Sequence, residues 1–131
     1  MRSIILPIVA ALMLFSLSGC RKIPINGDLD AQWQIMSVHY ADGQTFDPEG
    51  TLYICISLHT LQLEGRGNCH TASMSYDSES GRIILNFPYS EKSEFAPWGF
   101  SDSQTGAQVI RLNRKELVLL TDIAEIVCRR F

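Results

Sequence analysis

From Leu29 to Phe131 no stretch of useful length carries the three-to-four-residue apolar period of an amphipathic helix. Apolar residues instead alternate in short runs, separated at fairly even spacing by turn residues. A chain patterned this way has few options, because each extended segment has one oily side that must be covered by its neighbours. The expected fold is all-β: a small antiparallel meander of about eight strands, closed as a barrel or curled into a sandwich.

Taken in order, Trp33 to Tyr40 reads as the first strand, with Trp33 and Ile35 on one side and a slip in alternation near Met36 that predicts a bulge. Ala41-Asp42-Gly43 turns, and Phe46 to Gly50 is irregular. From Thr51 to Leu63 the apolar parity changes: Leu52, Ile54, Ile56 and Leu58 share one side, Leu61 and Leu63 the other. This is one long strand broken near His59, or two short ones. Glu64-Gly65-Arg66-Gly67 predicts a hairpin onto the Ser/Thr-rich strand Asn68 to Tyr76. Asp77 to Gly81 leads to Arg82 to Tyr89, with Ile83, Leu85, Phe87 and Tyr89 on one face. Ser90 to Gln108 is the one long irregular segment and contains Phe95-Ala96-Pro97-Trp98-Gly99-Phe100. Val109 to Leu112, Leu117 to Leu120 and Glu125 to Phe131 are the last three strands.

The first twenty residues have a different character. Met1-Arg2 precedes an apolar run from Ile4 to Phe15 and then small residues, the three-part layout of a secretory signal peptide, too short for a spanning helix of about 20 residues. The run ends in Leu17-Ser18-Gly19-Cys20, which resembles the lipobox of bacterial lipoproteins. That resemblance implies cleavage before Cys20 and acylation of its thiol, an attachment strengthened by about 0.8 kcal/mol per buried methylene. The expected organisation is a signal peptide over 1–19, a lipidated cysteine and tether over 20–28, and a barrel domain over 29–131. By the sorting habits of that class, the absence of Asp beside Cys20 points to the outer membrane, with the domain facing the periplasm.

Charge and cysteines narrow the function further. The formal charge of −3 becomes one unit more negative without Arg2, and the basic pairs Arg114-Lys115 and Arg129-Arg130 form no patch, so nucleic acid is not an expected partner. With Cys20 committed to lipid, Cys55, Cys69 and Cys128 allow at most one internal disulfide. A tight hairpin places Cys69 opposite a residue near Gln62 rather than opposite Cys55, and no pairing follows from the spacing. A nucleophile with its base is not apparent: Cys69 and His70 are adjacent, so on a strand they point to opposite faces. His39, His59 and His70 lack the spacing of a zinc site, and the acidic residues cluster in turns. The chain is not expected to be an enzyme or to need a cofactor or metal.

Asn26-Gly27-Asp28-Leu29-Asp30-x-x-Trp33-Gln34-Ile35, Leu58-His59-x-Leu61-Gln62-Leu63, and Val109-x-x-Leu112 with Leu117-x-Leu119 and a terminal Arg-Phe resemble the small lipocalin-like lipoproteins of Gram-negative gut bacteria. The resemblance covers nearly the whole mature chain. It implies a small antiparallel barrel in a group largely of unknown function. Lipocalins open with Gly-x-Trp, and here Ala31 stands in place of that glycine. Their last strand carries an arginine over the tryptophan, a role the resemblance offers to Arg129 or Arg130. Gly65-x-Gly67-Asn68-Cys69 partly resembles a turn of small stress-related barrel domains, with Asn and Cys reversed.

Two functions fit. In the first, the barrel mouth binds a small apolar or amphipathic ligand lined by Trp33, Tyr53, Phe87 and Tyr89 and covered by Trp98 and Phe100. In the second, a solid-cored lipoprotein docks on another envelope protein through an exposed Pro97-Trp98-Gly99-Phe100 segment or a sheet edge.

Overall fold

The computed structural model describes residues 25–88 and 94–131, and the expectations for the leader, Cys20 and Tyr89 lie outside the described residues. Nine antiparallel strands follow one another: β1 (Ala31–Tyr40), β2 (Thr45–Phe46), β3 (Tyr53–Ser57), β4 (Thr60–Gly65), β5 (Asn68–Asp77), β6 (Arg82–Asn86), β7 (Gln104–Leu112), β8 (Glu116–Leu120) and β9 (Ala124–Arg130). Each pairs with the next in a meander, except that β2 is a short extra strand beside β1 and β3 returns to β1. β9 pairs with β1 from Trp33↔Arg130 to Tyr40↔Ala124, so eight strands close a barrel and β2 stands outside the ring.

Closure explains the alternation. Inward positions carry Trp33, Ile35, Val38, Ile54, Ile56, Leu61, Leu63, Ala72, Met74, Ile83, Leu85, Leu117, Leu119, Ile126 and Cys128, all buried in one core. The expected bulge is present: the β1–β9 register shifts between Ile35 and Ser37, and Met36, the extra residue, points to solvent. A second bulge at Ile110 does the same in β7, between Val109 and Arg111.

The parity change between Ile56 and Leu61 resolves as a two-residue turn. Leu58, expected on the inner side, adopts a left-handed φ of 56° there and is exposed, because the chain reverses at Leu58-His59. β7 begins at Gln104, five residues before the sequence expectation; Gln104-Thr105-Gly106-Ala107-Gln108 is small and polar, and its register with β6 makes it strand. Order also extends upstream of Leu29. Asn26 donates from Nδ2 to Asp30 Oδ1 and to the Leu58 carbonyl, both at 2.7 Å, and a 3₁₀ turn at Gly27–Leu29 buries Leu29.

Candidate functional site

The expected lining residues divide between two ends of the barrel and its outside. Trp33 is fully buried and donates from Nε1 to the Leu29 carbonyl at 2.9 Å, so it seals the end covered by the first 3₁₀ turn. Tyr53 does not line the interior. Its neighbour Ile54 points inward, so Tyr53 faces out, edge-on to Phe131 with ring centroids 5.2 Å apart. Phe87, Trp98 and Phe100 do come together, at the end of the barrel that carries Tyr40.

That second mouth is closed by residues 94–100, built around a 3₁₀ turn at Ala96–Trp98. The segment is not exposed, which corrects the idea that Pro97 to Phe100 offers a docking surface: Phe95, Trp98 and Phe100 are all buried. The sheet edge offered as the other docking element is likewise used up by β1–β9 pairing, leaving only the two-residue β2. Phe95 stacks on Phe87 with centroids 4.4 Å apart, and His70, pointing inward from β5, sits edge-on to both Phe95 and Trp98 at 5.5 Å.

Four polar ties fix this cap to separate elements. The Tyr40 hydroxyl donates to the Ala96 carbonyl, Trp98 Nε1 donates to the Glu64 carbonyl at 3.2 Å, and Thr121 Oγ1 donates to the Gly99 carbonyl at 2.6 Å. His70 Nδ1 lies 3.5 Å from Glu94 Oε2. Burial, and then the nearby Asp42 carboxylate, push the Tyr40 hydroxyl above its ordinary value, so it remains a proton donor to the cap. Sequence reasoning missed Phe95, His70, Tyr40 and Thr121. Phe95 carries the same signal as Trp98, an aromatic in the same run; the other three lie far away in sequence and are brought in only by closure.

Among the described residues, Cys55, Cys69 and Cys128 are free thiols. Cys55 faces Gln62 and Cys69 faces Glu64, with β4 between them. Two strand spacings are about 9.6 Å, beyond the roughly 7 Å a disulfide can span, so these two cannot bridge without backbone movement. Burial, and then the Glu64 carboxylate that accepts from it, push the Cys55 thiol up to about 12. Cys69 is exposed while its neighbour His70 is buried, the opposition expected of adjacent strand residues. No cluster of histidine, cysteine and carboxylate fit for a metal occurs among the described residues. Arg129 does not cover Trp33 but donates from Nε to Gln34 Oε1 at 2.7 Å, and Arg130 lies across from Trp33 with no ring contact between them.

An eight-stranded meander that closes on its own first strand, with a buried tryptophan near the start of that strand and a capped far mouth, defines a barrel of the lipocalin type. The chain matches the model of the lipocalin-like domain over residues 13–131 and belongs to that family. It is similar in structure to a lipocalin-like protein from Bacteroides uniformis, with 19% identity, a TM-score of 0.63, and coverage of 80% of this chain and 100% of that one. It is also similar to an uncharacterized protein from Bacteroides eggerthii, with 12% identity, a TM-score of 0.64, and coverage of 77% and 98%. No curated protein matches it in sequence. At these identities the two structures establish the fold alone.

Proposed function

We propose that this protein is a non-enzymatic lipoprotein of the bacterial outer membrane, held by an acylated Cys20. Its periplasm-facing barrel takes a small apolar or amphipathic ligand at the mouth closed by residues 94–100. One observation carries the binding half of this reading. The mouth is filled by Phe95, Trp98 and Phe100, which come from a connection between strands and are held in place by side-chain ties. A connecting segment can move without breaking the barrel's ladder, and apolar side chains mark a volume that suits an apolar guest. The anchoring half rests on Leu17-Ser18-Gly19-Cys20.

Two experiments test this. The folded protein should take up N-phenyl-1-naphthylamine saturably, one molecule per chain, with a change in tryptophan emission from Trp98. Absence of saturable uptake by the folded protein removes the binding reading. Cys20→Ser should move the protein from the membrane fraction to the soluble one, and continued membrane association removes the anchor. The complete burial of Phe95, Trp98 and Phe100 favours a filled core, and the second reading is then a solid-cored lipoprotein that docks on another envelope protein through a surface other than that segment or a sheet edge. Saturable association with such a partner, together with no probe uptake, selects it.

A further inference from the structure

The outer surface of the barrel is not uniform. Outward positions of β5 are Cys69, Thr71, Ser73, Ser75 and Asp77, while β6, β7 and β8 present Ile84, Ile110 and Leu120, exposed by 59, 54 and 45%. Part of this second face is hollow. A depression of about 790 Å³ lies across β6, β7 and the turn after β8, lined among others by Arg82, Ile84, Gly106, Leu120, Asp102 and Asp122.

Its floor is Gly106, whose backbone is not in the left-handed region, so conformation does not require glycine there. Space does. A Cβ on Gly106 would lie 2.8 Å from the Ile83 carbonyl and 3.1 Å from Nη2 of Arg82. The guanidinium of Arg82 therefore reaches from β6 over β7 into the depression, and it makes no ion pair among the described residues. At the opposite wall Ser101 Oγ donates to Asp122 Oδ2 at 2.6 Å, which fixes that carboxylate at the rim and leaves Oδ1 to accept from elsewhere. Ser103 N and Oγ likewise engage Asp102 Oδ1, at 2.6 and 3.2 Å.

The hollow thus holds a cation lying over Gly106 of β7, the carboxylates of Asp102 and Asp122 on its far wall, and two exposed aliphatic side chains. We infer that it binds a short peptide with free termini. The peptide carboxylate pairs with Arg82 in a forked contact, its ammonium is accepted by Asp122, and its apolar side chains lie on Ile84 and Leu120. Arg82 and Asp122 form no ion pair with each other, so they stand further apart than direct contact, and an extended dipeptide, which spans about 7 Å, is the shortest peptide offered to bridge them. This site is outside the barrel and stands apart from any ligand of the capped mouth.

The test uses the dipeptide Leu-Leu, its N-acetyl form and its C-terminal amide, titrated into the folded protein with amide shifts followed by NMR. Leu-Leu should shift Gly106 saturably below about 10 mM, and each blocked form should bind about tenfold more weakly. Arg82→Gln should weaken Leu-Leu about tenfold and leave the affinity for the amide unchanged. Asp122→Asn should do the same with respect to the acetylated form. Both residues are exposed surface groups, and an unchanged thermal midpoint shows that the variants are folded. No saturable shift at Gly106, equal binding of free and blocked dipeptides, or variants that weaken all three ligands alike overturns the proposal.

Discussion

Thr121 Oγ1 sits 2.6 Å from the carbonyl oxygen of Gly99, joining the turn between β8 and β9 to the cap over the barrel mouth. The same hydroxyl oxygen accepts from the backbone N–H groups of Ile123 at 3.3 Å and Ala124 at 3.1 Å. One buried side chain therefore shapes its own turn and holds a distant segment. Replacing it by Val keeps the volume and leaves the Gly99 carbonyl without this donor, at a cost of about 1–3 kcal/mol. Thr121→Val should unfold at correspondingly lower urea, with Thr121→Ser close to the parent. A Val variant as stable as the parent, with the loss falling on Ser instead, would show that the methyl group, and not the hydroxyl, matters.

Gly99 is constrained twice over. Its φ is 95°, and a Cβ there would stand 2.7 Å from Ile126 Cγ1 and 2.8 Å from Cδ1. Gly43 has a similar φ of 94° but nothing within 4 Å of the same position. Gly43→Ala should therefore cost about 1–2 kcal/mol from backbone strain alone. Gly99→Ala should add about 1–3 kcal/mol of overpacking to that. Ile126→Val, which removes Cδ1, should recover part of the difference in a double mutant measured by denaturant unfolding. Identical losses at the two glycines would mean that the cap does not press on β9.

These ties also show which parts of the molecule can be read from the chain. The strands around Trp33, Ile54, Ile83 and Leu117 announce themselves by parity, because a two-residue period with one oily side has only one use. The bulge at Met36 is visible for the same reason, as a slip in that parity. The Gln104–Gln108 half of β7 is silent because it is made of polar and small residues whose strand state is set by pairing with β6, with Gly106 leaving room for the Arg82 guanidinium above it. The mouth is half legible. Trp98 and Phe100 stand out as aromatics in an irregular run, but whether they face in or out depends on Tyr40, His70 and Thr121, each many residues away. Tyr53 misleads because it is aromatic on a buried strand, yet its parity with Cys55 places it outside.

Thiol reactivity should follow position on the barrel. In Cys20→Ser protein at pH 8, iodoacetamide should modify exposed Cys69 first. Cys55 should resist, since burial and the Glu64 carboxylate hold its thiol protonated, and Cys128 should resist because it is enclosed in the core. Glu64→Gln removes a charge that opposes the Cys55 thiolate, so it should speed Cys55 labelling with little effect on Cys128. Mass mapping of the alkylated peptides reads this directly, and faster labelling of Cys55 than of Cys69 in the parent would contradict the burial assigned here.

The same thiols set how stability responds to alkali. Burial pushes Cys128 from its ordinary value of 9.0 up to about 12, and Cys55 rises to about 12 for the reasons given above. A group whose pKa is higher in the folded state binds its proton more tightly there. Its contribution is complete below the unfolded value near 9 and is lost as pH climbs toward 12. The unfolding free energy should therefore be flat to about pH 8.5 and then fall, each fully buried thiol adding at most about 1.4 kcal/mol per pH unit. Cys55 is partly exposed, so solvent screening makes its share smaller. Tyr40, also raised, adds to the loss above pH 10. Cys128→Ala should lower stability by a constant amount at neutral pH, through lost packing, yet decline less steeply between pH 9 and 12. If the variant and the parent trace parallel curves across that window, the Cys128 thiol is not the group being titrated.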